Sequence, residues 1–447
     1  MASVQPKAGG LQRRLGSVDA AAIVVSNVIG GGIFFVPVIV AQLVPNPSAL
    51  LAAWAAGGAL AFAGAMAYAE LGAMRPHAGG EYVYIRDAYG PLAAFLTGWT
   101  SFVAGFSGAI AASSVALAGY IDHFIALGPR ARTIVALVTV MAFTLVHVRG
   151  LGPGRFLQNL LALLKVSAIV IVVIAGFAGA HGSAAHLVDG PPATAFGWLL
   201  ALVPVMFTYS GWNAAAYVAE EVRDPHRNVP FSLALGTIAV VVLYLALNAL
   251  FLYAMPVSQL AALPGGSLMN SVAERLFGSA GGNLLALFAI ISIAASVSAM
   301  VLAGPRVYYA MARDGVFVRA AGDVHPRFRT PAAAIAAQGI WSGVLVLSGT
   351  LSQLVDYTGF AVVLFAGIAV SAVFVLRRSD GDRHRPFSAL GYPWAPAIFV
   401  AASAAMVINE IWRDPRPALA GLALIAAGVP VYFLVRRRGE TRGQIED

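Results

Sequence analysis

Long apolar stretches alternate with short polar turns along almost the whole chain. Stretches able to cross about 30 Å of hydrocarbon fall at approximately 17–45, 48–75, 84–122, 131–148, 156–180, 194–221, 230–254, 282–312, 332–350, 354–376, 392–412 and 418–435. This pattern predicts twelve membrane helices. A Pro/Gly-containing loop at about 257–280, with a short helix around Ser271–Phe277, separates the seventh and eighth. Two spans depart from the aliphatic pattern. The first contains Gly30-Gly31-Gly32, and each interior glycine costs a helix roughly 1 kcal/mol relative to alanine. Three in a row either unwind the backbone or let a neighbouring helix approach closely. The sixth reads Pro204-Val205-Met206-Phe207-Thr208-Tyr209-Ser210-Gly211-Trp212-Asn213, polar and aromatic where a lipid-facing helix is aliphatic. If spans one to five and six to ten form two halves, these breaks occupy corresponding positions. Matched breaks of that kind point to a transporter binding site. The repeat is inferred from spacing, since the halves share no convincing residue-level similarity.

Composition agrees with the spans. The 447 residues are 59% hydrophobic and 11% charged, far from soluble globular usage. Placing the N-terminus in the cytoplasm puts 22 basic residues on the inner side and 5 on the outer. The positive-inside rule therefore predicts both termini inside a cell inner membrane. The net charge of +8 lies in those short loops and does not suggest a nucleic-acid partner. No cleavable signal is expected before the first span. Cysteine is absent, which excludes disulfides, cysteine–zinc sites and thiol catalysis. No nucleophile–base pairing, phosphate loop or metal-ligand spacing is present, so neither an enzyme, a metal site nor a cofactor is expected. The chain divides into a cytoplasmic tail (1–16), a first repeat (17–180), a second repeat (194–376), two added helices (392–435) and a second tail (436–447).

An unwound span gives two half-helices, the second of which presents free N–H groups and a partial positive charge. Around Gly31–Ile33 that makes a site for a carboxylate without a cationic side chain. In the sixth span the carbonyls near Phe207, Thr208 and Ser210 suit an ammonium group. A ligand carrying both groups is an α-amino acid. Phe207 and Tyr209 are placed to cover it, and Asn213 to bond the ligand or the backbone; the bland alternative for Phe207 and Trp212 is packing.

Lys165 is the other outlier, one of two lysines in the chain and about ten residues, roughly 15 Å, into its helix. An intramembrane ionisable residue is a functional candidate by default. Its ammonium can bond the unwound carbonyls of span one and hydroxyls of span eight, with Ser292, Ser296 and Ser298 as candidates. There it either replaces a bound Na⁺, carries a coupled proton, or serves as a permanently satisfied structural cation. Glu70 is expected to pair with a nearby arginine, and Glu220 and Glu221 with Arg223 in a gate or loop. His77 and His147 lie at the membrane boundary and are not expected to relay protons.

Four segments carry a resemblance. Ile29-Gly30-Gly31-Gly32-Ile33-Phe34 resembles the first-helix motif G-[STAG]-G-[IV]-F of amino acid–polyamine–organocation transporters. Arg75-Pro76-His77-Ala78-Gly79-Gly80-Glu81-Tyr82 is similar to their loop P-x-x-G-G-x-Y. Phe207 to Asn213, with Glu220-Glu221 and Arg227-Asn228-Val229-Pro230, resembles a run of the L-type amino acid transporter branch and its bacterial relatives. Gly304 to Gly315 resembles their helix-eight ending. The resemblance implies an all-α LeuT-type fold, five-plus-five inverted repeats with helices one and six unwound and two helices added. It implies alternating access for an amino acid substrate within the lipid bilayer. By residue it implies Ile29, Gly30, Gly31, Gly32 and Ile33 at the substrate carboxylate, with Phe207 as aromatic gate and Thr208, Ser210 and Asn213 around the substrate. Lys165, with Ser292 and Ser296, matches the sodium position of sodium-independent members. Departures are informative. Gly31 replaces a serine common in the L-type branch, and Asn213 stands where arginine/agmatine-type antiporters carry glutamate. Without cysteine, no disulfide-linked heavy subunit is expected. The expectation is a sodium-independent permease or exchanger of neutral L-amino acids, with a proton-coupled symporter of amino acids or amines as alternative. An amino-acid-binding membrane sensor is the alternative of a different class.

Overall fold

A computed structural model describes residues 10–179, 181–188, 190–264, 268–278, 281–348, 351–381, 384–413 and 415–446, the side chains of 351–358 and 437–446 excepted. Lys7 and Arg383, and the side chains of Arg437, Arg438 and Arg442, all counted for orientation, lie outside the described residues. Among the described residues, nine helices are long and apolar enough to cross a membrane. Three shorter apolar helices, Ser17–Val28, Ala195–Tyr209 and Ala332–Ser348, fall at the expected first, sixth and ninth spans. The first two are short because the chain leaves the helix inside each span. After Val28 it passes through a 3₁₀ turn at Gly32–Phe34 and resumes at Val36–Leu43. After Tyr209 it resumes only as Ala214–Tyr217 and a 3₁₀ turn at Ala219–Glu221. The loop between spans seven and eight holds two short helices, Val257–Ala261 and Leu268–Phe277.

Burial separates an inner bundle from an outer ring. In the helix Gly281–Arg313, the eighth span, 72% of the apolar window is buried, against 17% in Pro129–Val148 and 22% in Trp394–Arg413. The seventh span, Pro225–Ala254, packs along the second, Pro47–Met74, and also against the first. The third span, Pro91–Asp122, carries a π turn at Ser101–Gly105. Such insertions loosen the regular ladder and recur at functional sites.

The arginine-rich end is tied by ion pairs. Arg306 donates to both carboxylate oxygens of Glu221 (Nε–Oε2 3.0 Å, Nη2–Oε2 2.8 Å, Nη2–Oε1 3.0 Å), and both side chains are buried. Glu221 therefore pairs with span eight rather than with Arg223. Its carbonyl accepts from the N–H groups of Arg14 and Leu15, each at 2.9 Å. This joins the entry to span one to the exit from span six. Glu70 receives Arg377 at 2.8 and 2.6 Å. Asp314 receives Tyr82 at 2.8 Å and Arg86 at 2.7 Å.

Candidate functional site

The two interrupted helices meet around a cavity of about 270 Å³. Gly30, Gly31 and Gly32 line it from one side, and Phe207, Thr208, Ser210 and Asn213 from the other. Ile29 and Ile33 are fully buried behind this wall and do not line it. The glycine run supplies donors. Gly30 N–H turns back onto Val28 O at 2.8 Å, whereas the N–H groups of Gly31, Gly32 and Ile33 find no acceptor among the described residues. A Cβ on Gly31 meets nothing within 4 Å, so this position opens into space. On Gly32 it would press on Thr208 at 3.2 Å. Free main-chain donors at the start of a resumed helix form an anion site.

Span six supplies the opposite wall. Ser210 N–H bonds Phe207 O at 3.1 Å, closing the last turn. Gly211 then takes a positive φ of 99° and lies against Asn27, whose Nδ2 would stand 2.8 Å from an added Cβ. A side chain there meets both strain and a clash, so glycine lets the two breaks approach. Thr208 Oγ1 donates to Pro204 O at 2.9 Å, and both this oxygen and the Thr208 methyl would stand 3.2 Å from a Cβ on Gly32. Phe207 is 36% exposed and its ring lies near Gly359 of span ten. Trp212 is buried and packs edge-on against Tyr68, with ring centroids 4.9 Å apart.

Lys165 reaches the first break from span five, Leu151–Ala178. Its fully buried ammonium donates to Ser26 O at 3.0 Å, to Ile29 O, and to Ser296 Oγ at 3.1 Å. Ser296 Oγ also lies 2.9 Å from each of the same two carbonyls, and Ser292 Oγ 3.5 Å from Ile29 O. Ser298 is elsewhere, bonded to His147 Nε2 at 3.0 Å. An ammonium has three protons, and here it has three acceptors. The orphan carbonyls that end the first half-helix are thereby satisfied without a bound ion.

Two residues outside the expected set belong to this region. Tyr244 on span seven places its hydroxyl 3.0 Å from Val28 O and 3.2 Å from Thr208 O, bridging the two breaks. No sequence signal distinguishes it from other buried tyrosines. Glu81 lines the cavity and accepts from Tyr68 at 3.0 Å and Asn213 Nδ2 at 3.4 Å. It stands within the Arg75–Tyr82 motif, which resembles a loop in sequence. The turn at Gly79 (φ 109°) and Gly80 (φ 52°) starts the short helix Glu81–Tyr89 and brings this carboxylate inward.

Buried helices, two of them broken around a cavity lined by main-chain donors, define a polytopic membrane protein built to hold a small polar ligand. Residues 15–434 match the family described as amino acid permease, so the chain belongs to that family. It is 27% identical to the serine/threonine exchanger SteT of Bacillus subtilis (strain 168), over 96% of this chain and 98% of that protein. It is 28% identical to the b(0,+)-type amino acid transporter 1 of Rattus norvegicus, over 97% and 90%. It is also 28% identical to the human large neutral amino acids transporter small subunit 2, over 95% and 80%. These relatives are amino acid transporters of the amino acid–polyamine–organocation family.

Proposed function

We propose that the chain is a sodium-independent exchanger of neutral L-amino acids, working by alternating access in a cytoplasmic membrane. In this reading twelve spans form a LeuT-type five-plus-five repeat with two added helices, and both termini are cytoplasmic. The substrate carboxylate takes the free N–H groups of Gly31 and Gly32, which line the cavity. Its ammonium lies against the carbonyls between Phe207 and Ser210, whose second lone pairs remain available. Phe207 covers the ligand. The names of two relatives, a serine/threonine exchanger and a large neutral amino acids transporter, support neutral substrates.

The observation that carries sodium independence is Lys165 with its three oxygen acceptors. A cation fixed where the broken helix would otherwise need one supports a sodium substitute over a proton carrier. The Glu221–Arg306 pair serves as the cytoplasmic gate, which parts when the site opens inward.

The test is equilibrium binding to the purified protein in sodium-free buffer. L-Alanine and L-serine should bind, whereas their amides and their deaminated acids should not. Equal binding of an analogue lacking either main-chain charge contradicts the two-ended clamp. Saturable binding without flux in vesicles would favour a sensor.

A further inference from the structure

The cavity has a second charged feature that the main-chain clamp does not use. Among its described lining residues Glu81 is the only carboxyl, and no lysine, arginine or histidine lines it. The neighbouring charges are spent elsewhere. On its own helix, Arg86 and Asp87 pair with each other, and Arg86 also with Asp314. Arg75 joins Asp87 and Asp380. From the packed helices, Arg306 holds Glu221, Arg377 holds Glu70, and Arg313 donates to Tyr309. Glu220 accepts from Ala78 N–H at 3.1 Å. What faces Glu81 is neutral: the hydroxyls of Tyr68 and Tyr217 and the amide of Asn213, with Tyr84 nearby. Asn213 in turn donates to Tyr217 at 3.0 Å, fixing the array.

A carboxylate in such a place has donors but no counter-charge. Removing it from water without a cation is costly, so it is neutralised by whatever positive charge the cavity admits. We propose that Glu81 is a cation subsite of the transport cavity, taking one positive charge per substrate. A basic amino acid supplies it as its side-chain ammonium. With a neutral amino acid a proton supplies it, converting the carboxylate to the carboxylic acid. Either loaded form brings a net charge of +1 to the cavity: the zwitterion plus a proton, or the basic amino acid with no proton. The inference rests on the amino acid transport reading and adds basic side chains to its substrates.

Burial pushes the Glu81 carboxyl up to about 7, opposed by the hydrogen bonds from Tyr68 and Tyr217. It is therefore neutral below that pH and anionic above it. A basic ligand must then displace a proton at acid pH, so its apparent affinity rises up to about tenfold per pH unit below neutrality and levels off above.

The experiment uses the purified full chain in detergent, with L-lysine and L-alanine as probes between about pH 5 and pH 8, where the lysine side chain stays protonated. Affinity is read by thermal shift, and the carboxyl directly by its infrared C=O band. The expected result is a lysine affinity that climbs with pH while alanine does not, and a C=O band that vanishes near neutrality. In E81Q the band should no longer titrate, and lysine should weaken at least about tenfold relative to alanine. E81D, which keeps the carboxyl, should retain the pH slope. A lysine affinity independent of pH in the wild-type protein overturns the proposal, even if E81Q does not fold. So does a titrating band without lysine recognition, or unchanged lysine preference in E81Q. If neither probe binds, the transport reading fails too, and a band that still titrates in the wild type but not in E81Q separates that failure from a wrongly assigned carboxyl.

Discussion

Lys165 Nζ lies 3.0 Å from Ser26 O, the carbonyl left free where the first helix of the chain breaks. The pair joins a charge that is expensive at membrane depth to a backbone that has lost its own partners, and each offsets the other. Lys165→Ala should therefore leave the Ser26 and Ile29 carbonyls short of donors. Exchange should fall about 10- to 100-fold, the loss expected for charged hydrogen bonds, while the protein still runs as a monodisperse peak on size exclusion. Wild-type flux would leave this lysine a structural cation at most.

Gly31 faces open space, so a large side chain there should fill the cavity without disturbing the fold. Gly31→Leu is expected to abolish amino acid binding with little change in melting temperature. Retained affinity in a binding titration would make the glycine run a packing seam only.

The buried Glu221–Arg306 pair predicts a different signature. Arg306→Met leaves an uncompensated carboxylate, and breaking such a pair from one side costs about 3–5 kcal/mol. The double variant Glu221→Leu with Arg306→Met should regain much of that stability and yet remain impaired in exchange, because the latch is gone. Thermal melts beside flux assays separate the two effects. Normal exchange in a stable double variant would remove the pair from gating.

Tyr244 bridges Val28 O and Thr208 O, so Tyr244→Phe should uncouple the two breaks. The stability loss should be about 1 kcal/mol, one net hydrogen bond, with a larger fall in exchange rate than in affinity. Equal losses in rate and affinity would assign the hydroxyl to binding alone.

The broken helices were legible because glycine and polar residues are conspicuous within apolar runs. Lys165 was legible for the same reason, as was its reach to spans one and eight. Partners across the bundle were not. Nothing in the local pattern says that Glu221 meets Arg306, 85 positions away, or that Ser298 turns to His147 while Ser296 turns to Lys165. Helical phase decides such choices, and a buried span with little amphipathicity does not display its phase. Glu81 shows the same limit: two positive-φ glycines precede it and turn it toward the cavity, whereas its sequence neighbours suggest only a loop.

The most direct test of the central claim is uptake of radiolabelled L-serine or L-alanine into sodium-free proteoliposomes, with and without unlabelled amino acid inside. The account predicts uptake strongly stimulated by internal amino acid and unaffected by added Na⁺. Uptake that requires Na⁺, or none across a broad panel of neutral amino acids, would contradict it.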